Sequence, residues 1–132
     1  MLHMLDTNIV SQLVKQHPEV LKHYSRIAPE NMCISSVTEA ELLYGVAKKQ
    51  SHTLHKTILE FLKTITICDW DSEAAATYGK LRADMEKRGK VMGDLDQLIA
   101  AHALSRGTTI VTNDHAFGMV EELTVEDWIT AA

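Results

Sequence analysis

Leu2-His3-Met4-Leu5-Asp6-Thr7-Asn8 and Thr109-Ile110-Val111-Thr112-Asn113-Asp114, near opposite ends of the chain, share one form: a short, largely apolar run ends in small polar residues and a carboxylate. Two more runs of the same length, Met32-Cys33-Ile34-Ser35 and Ile65-Thr66-Ile67-Cys68, lie between them. Runs this short and this rich in β-branched residues predict strands. A strand with no polar alternation is one covered on both faces, as in a parallel sheet whose crossovers are helices.

The intervening segments supply those helices. Ile9 to Gln16 has helical spacing, and Pro18 opens a second helical stretch through Arg26. Ser35 or Ser36 is placed to cap a long helix whose apolar positions include Val37, Ala40, Leu43, Tyr44 and Ala47. Leu54 to Leu62 continues helical, Asp71 caps a helix through Arg88, and Gly89 to Gly93 breaks the pattern. Asp94 to Ser105 is helical with Gly107 as its stop, Asn113 and Asp114 begin a brief helical turn, and Leu123 to Val125 is expected as a fifth strand. The expected class is α/β, with helices on both sides of a short parallel sheet.

A chain of 132 residues has room for one hydrophobic core, since a second would need roughly a hundred residues more, so one domain over 1–132 is expected. The composition, 45% apolar and 23% charged, is that of an ordinary globular protein, with no linker-like or repeated segment. An acidic residue interrupts the N-terminal run at Asp6, which leaves no secretory or membrane-spanning segment there, and a cytoplasmic protein is expected. Cys33 and Cys68 sit in strand-like runs without CxxC spacing, which reads as reduced core thiols.

In such sheets, ligands collect where strands end at the switch in strand order, so Asp6 and Asp114 are expected on one rim. Helix geometry adds two more acids. With successive residues about 100° apart, Glu41 shares the side of Val37, Tyr44 and Gly45, whereas Glu39 points nearly opposite. Asp94 and Gln97 have capping-box spacing, which leaves Asp96 in the first turn on the face of Ile99 and Ala100. Each of Asp6, Asp96 and Asp114 has a plain structural reading as a cap or a favourable charge at a helix start. Converging on one rim with Glu41, and with no matching buried Lys or Arg, they call for a cation instead. Hard carboxylate oxygens suit Mg²⁺ or Mn²⁺ better than zinc. His52-x-x-His55 has no third ligand at a familiar spacing, and His102, among alanines and leucines, reads as a helical core residue.

A net charge of −5 runs against nucleic-acid binding, which usually draws on surplus Lys and Arg. Bound cations offset a clustered acidic site, and Lys80, Arg82, Lys87, Arg88 and Lys90 form a basic stretch just before Asp96. On charge pattern alone, a solvated helix face explains that stretch equally well. No GxGxxG, Walker or GxSxG motif is present, so nucleotide hydrolysis and serine esterase chemistry have no basis in the residues.

Asp6-Thr7-Asn8 after a strand, Glu41 within Ala40-Glu-Leu-Leu-Tyr-Gly45, Asp96 within Asp-Gln-Leu-Ile-Ala-Ala-His-Ala103, and Thr112-Asn-Asp-His-Ala-Phe117 together resemble the PIN domain, most closely the VapC toxins of bacterial toxin–antitoxin pairs. The resemblance spans nearly the whole chain, and the ending Glu126-Asp127-Trp128 is similar to enterobacterial-type members. It implies a three-layer α/β/α sandwich and RNA cleavage dependent on Mg²⁺ or Mn²⁺. By position, Asp6, Glu41, Asp96 and Asp114 match the family's acidic set, and Thr7, Asn8 and Thr112 its accompanying polar residues. A homodimer is implied, within a larger assembly with a VapB-like antitoxin whose C-terminal segment fills the toxin groove. So is cleavage of initiator transfer RNA in its anticodon stem-loop, with Lys87, Arg88 and Lys90 gripping phosphates. Two other readings start from the same residues: phosphoryl transfer through an aspartyl phosphate at Asp6, and a non-catalytic RNA-binding or regulatory module. The first wants a second Asp where Asn8 stands.

Overall fold

The computed structural model describes residues 2–130 and contains a five-stranded, fully parallel sheet. Its strands are β1 (His3–Leu5), β2 (Met32–Ser35), β3 (Thr66–Cys68), β4 (Thr109–Val111) and β5 (Val125–Glu126), in the order β3-β2-β1-β4-β5. Six helices connect them: α1 (Thr7–Val14), α2 (Pro18–Ser25), α3 (Ser36–Lys49), α4 (His52–Leu62), α5 (Ser72–Lys87) and α6 (Asp94–Arg106).

Side-chain alternation along each strand divides the interior in two. Met4, Cys33 and Ile110 point to a layer built from α5 and α6, with Leu81, Met85, Ile99, Ala100, Ala103 and Phe117. Their chain neighbours Leu5, Ile34 and Val111 point the other way, onto Ile9, Val10, Val20, Leu42, Val46 and Ile58 of α1 to α4. All six strand residues are fully buried. That is why these strands carry no polar alternation, and the result is the expected three-layer α/β/α sandwich. Gly107 ends α6 at φ +65°, a left-handed position that suits glycine.

The strand order reverses beside β1. The chain steps outward from β1 to β2 and β3, then returns to lay β4 and β5 on β1's other side. His3, Met4 and Leu5 pair with Thr109, Ile110 and Val111, so Asp6 and Thr112 leave the sheet side by side at its carboxyl edge.

Four local expectations are corrected. The core face of α3 is Thr38, Leu42 and Val46, while Leu43 and Tyr44 are 39% and 66% exposed and Ala40 and Ala47 lie outside. Hydrophobicity alone does not distinguish an apolar residue packed inside from one left on the surface. Helix α6 is capped by Gly93, whose carbonyl accepts from Gln97 N at 2.9 Å, and not by the side chain of Asp94. Helix α4 begins at His52, because the Ser51 hydroxyl accepts from Leu54 N and caps it ahead of the first leucine. The fifth strand is Val125–Glu126 and not Leu123–Val125, since Leu123 turns inward to the core.

Trp128 closes the layer over α1 and α2. It is fully buried, its ring stacks on His23 at 5.7 Å and 8°, and Nε1 donates to Glu126 Oε1 at 2.8 Å. Trp128→Ala should cost about 3–5 kcal/mol, read in a thermal melt as a Tm drop of roughly 10 °C or more. A shift within a degree of wild type would show that this ring contributes little to folding.

Candidate active site

The loop that leaves β1 makes Asp6 the N-cap of α1. Asp6 Oδ1 accepts from Thr7 N at 2.8 Å, and Oδ2 accepts from the Thr112 hydroxyl at 2.8 Å. Asp6 N donates to Val111 O at 2.9 Å, so the β1–β4 ladder continues to the first functional residue. Asn8 braces the other side: Nδ2 lies 3.3 Å from Thr112 Oγ1 and 3.5 Å from Asp6 Oδ2, while Oδ1 accepts from Asn113 N at 3.2 Å. Thr112 Oγ1 also accepts from Asp114 N at 3.0 Å, and Asp114 Oδ1 caps the 3₁₀ turn His115–Met119 by accepting from Ala116 N. The capping roles of Asp6 and Asp114 are therefore real, and they coexist with a place in the cluster.

Glu41 enters from α3 and accepts from the Thr7 hydroxyl at 2.7 Å, which fixes it to the same loop. Asp96 enters from the first turn of α6. A β-carbon at Gly93 would stand 3.3 Å from Asp96 Oδ2, so the absence of a side chain there leaves the room this carboxylate occupies.

The electrostatics show that the four acids share one field. Burial raises the Asp6 carboxyl above the usual carboxylate range, opposed by the hydrogen bonds from Thr112 and Thr7 and reinforced by Glu41 and Asp114. Asp96 is pushed up to about 7, first by burial, then by the charges of Asp6 and Asp114, a hydrogen bond with Asp114, and Glu41. Among the described residues, none of the four forms an ion pair with Lys, Arg or His. Clustered carboxylates without a counterion favour binding either protons or a cation. Among the same residues, no three acidic, His or Cys side chains are placed to hold a metal ion together.

The other expected residues are more dispersed. Lys87 and Lys90 are exposed, whereas Arg88 is already engaged: it pairs with Asp84 at 3.0 Å and Glu121 at 3.5 Å and donates to Met119 O. His102 is fully buried with Nδ1 2.7 Å from Ser35 Oγ, and burial holds its pKa below the usual imidazole range. His52 and His55 lie exposed on α4. Cys33 and Cys68 are free and buried, and burial with the neighbouring Cys68 pushes the Cys33 thiol up to about 12, which makes it a poor nucleophile. Two features escaped sequence reasoning. Gly93 looked like part of a helix break, and the Asn8–Asn113 bond joins positions whose proximity only the β1–β4 pairing creates.

The PIN domain model matches residues 3–123. The chain is similar to the tRNA(fMet)-specific endonuclease VapC of Shigella flexneri, at 41% identity over 127 residues, covering 95% of this chain and 96% of that protein. It is 40% identical over 130 residues to ribonuclease VapC2 of Haemophilus influenzae, covering 96% and 98%. Among solved structures, it resembles VapBC2 of Rickettsia felis bound to a promoter DNA fragment, with TM-score 0.88, 34% identity, and 97% and 99% of the two chains covered. DNA-bound VapBC of Salmonella typhimurium gives TM-score 0.85 at 35% identity, with the same coverage.

Two measurements test the cluster. Because the folded pKa of Asp96 lies near 7 and the unfolded value near 3.8, ionising it costs stability. The metal-free protein should therefore lose stability as pH rises from about 4 to 7, and Asp96→Asn should lose less over that window; parallel Tm-versus-pH curves would refute the shared field. Second, Glu41→Gln should remove most metal-dependent activity and Glu39→Gln should not, because the Thr7 hydroxyl meets only Glu41 among the two. Equal behaviour of the two variants in a cleavage assay would contradict the placement of Glu41.

Proposed function

The chain belongs to the PIN-domain family, and on that premise we propose that it is the toxin of a VapC–VapB-type pair, a metal-dependent endoribonuclease acting on structured RNA. The observation that carries this reading is the set of four carboxylates sharing one field without a cationic partner, at the switch point of the sheet.

PIN-domain nucleases use divalent metal ions, and Mg²⁺ or Mn²⁺ fits the donors here. The cluster consists of hard oxygens, with no thiolate among the four acids and their polar neighbours. No three of the acids are placed to hold an ion together, and a Mg²⁺ ion needs only one or two carboxylates, keeping its remaining positions for water and phosphate oxygens. Asp6 and Asp96 would hold the ion, with Glu41 and Asp114 completing the site directly or through water. Bound there, the ion supplies charge against the phosphate and lowers the pKa of water at the site.

The chain's own residues orient these groups. Thr112 and Thr7 N lock both oxygens of Asp6, Thr7 Oγ1 locks Glu41, and Asn8 ties the β4 loop to α1. Polar partners of this kind typically contribute 10- to 100-fold to metal affinity or activity. At neutral pH, Asp96 sits close to its midpoint, so its proton is readily released when a cation takes its place. Hydrolysis by a water nucleophile leaves a 5′-phosphate and a 3′-hydroxyl.

The Shigella flexneri relative, named for tRNA(fMet), supports initiator transfer RNA as the substrate; we place the cut in its anticodon stem-loop, where an unpaired strand bends toward the acids more easily than a duplex does. The VapBC structures, both bound to DNA, support a VapB-like antitoxin as the protein partner; we further propose a toxin homodimer at the centre of that assembly. Lys87 and Lys90 are free to meet phosphates, while Arg88 serves chiefly to hold α5 to the turn after Asp114. Among the described residues, no helix is long and apolar enough to cross a membrane, and we place the protein in the cytoplasm, where its RNA substrate is.

Incubation of the isolated protein with total RNA should yield cuts that EDTA abolishes, mapping to the initiator anticodon loop and ending in 3′-hydroxyls. Asp6→Asn and Asp96→Asn should each abolish them while remaining folded by circular dichroism. EDTA-resistant cleavage, or full activity in either variant, would refute the metal site. Cuts confined to another RNA would refute the substrate alone.

A further inference from the structure

We propose that the groove between α3 and α6, beside the acids, receives one unstacked base of the RNA against the ring of Tyr44. This rests on the endoribonuclease reading and deepens it. Thr7 and Glu41 of the acidic cluster also line a cavity of about 560 Å³, whose remaining walls are mostly carbon, from Val37, Ala40, Tyr44, Leu95 and Leu98. The groove and the acids are therefore one continuous surface. A strand with its phosphate at Asp6 and Asp96 has a neighbouring nucleotide over this groove.

Chemistry selects the base as the part that enters. A sugar-phosphate segment needs polar partners, whereas a nucleobase presents a flat face that gains from stacking on an aromatic ring and from apolar walls. Tyr44 is 66% exposed and Leu95 47%, an unusual outlay of apolar surface next to a polar site. Tyr44 lies three residues after Glu41 on α3, so the two share a side of the helix. Lys48 Nζ stands over the Tyr44 ring, 5.9 Å from its centre. A cation on the exposed ring complements a phosphate carried by a stacking nucleotide, and it favours a nucleic acid over an apolar protein segment as the occupant.

The test uses a single-stranded oligoribonucleotide carrying 2-aminopurine at successive positions around the cut, bound in Ca²⁺ so that binding is read independently of cleavage. One position should be quenched by wild type, Tyr44→Phe and Tyr44→Trp, and not by Tyr44→Ala. Stacking of one base corresponds to roughly 5- to 150-fold in affinity, so Tyr44→Ala should weaken binding within that range. In single-turnover cleavage with Mg²⁺, an abasic site at the quenched position should slow wild type and leave Tyr44→Ala no slower than it already is. Quenching and affinity unchanged in Tyr44→Ala would overturn the proposal, as would an unchanged oligonucleotide result with loss of binding to an antitoxin peptide, which would assign the groove to the protein partner. Failure of wild type to cleave any RNA would sink the nuclease reading itself, and the fluorescence arm would still decide the fate of the base platform.

Discussion

The hydrogen bond from the Thr112 hydroxyl to Asp6 Oδ2, 2.8 Å long, joins residues 106 positions apart and organises the rest of the site. It exists because the central strand β1 pairs in parallel with its neighbour β4, which brings the carboxyl ends of both to one edge. With Thr7 N on the other oxygen, the carboxylate of Asp6 cannot rotate, though only 3% of the residue is exposed. A buried carboxylate without such donors would be costly. Two of the remaining acids are tied to the same threonines, Glu41 through the Thr7 hydroxyl and Asp114 through its backbone amide to Thr112, while Asp96 meets the cluster through Asp114.

This arrangement holds like charges together, so the site works against the stability of the metal-free chain. Asp6 and Asp96 are both raised by burial and by their neighbours, and no Lys or Arg among the described residues relieves them. The two packed layers offset that cost. Each fully buried Leu, Ile, Val, Met or Phe contributes roughly 1.5–3 kcal/mol, and the helices that carry Glu41 and Asp96 are anchored in these layers by Leu42, Val46, Ile99 and Ala100. A cation bound among these carboxylates would remove that repulsion.

The sheet and its acids were legible because both depend on local pattern. Buried parallel strands read as unbroken apolar runs, and an acid directly after such a run marks the rim, as at Asp6 and Asp114. Helical phase puts Glu41, and not Glu39, on the side that meets the Thr7 hydroxyl. What stayed hidden depends on partners distant in sequence or on the difference between two kinds of apolar residue. Arg88 reads as a free cation until Glu121, 33 residues on, is seen beside it. Tyr44 reads as core until Thr38, Leu42 and Val46 take the inner face. Gly93 caps α6 through its backbone, which no side-chain rule detects, and β5, expected two residues early, is an edge strand of two residues, too short to fix its own bounds.

The central claim is that Asp6, Glu41, Asp96 and Asp114 form one cation site. Binding of Mn²⁺ to the RNA-free protein, followed by electron paramagnetic resonance at neutral pH, tests it most directly. The account predicts saturable binding that weakens roughly tenfold or more in both Asp6→Asn and Asp96→Asn, and that is unaltered in Glu39→Gln. Equal Mn²⁺ affinity in wild type and both Asp variants would contradict it.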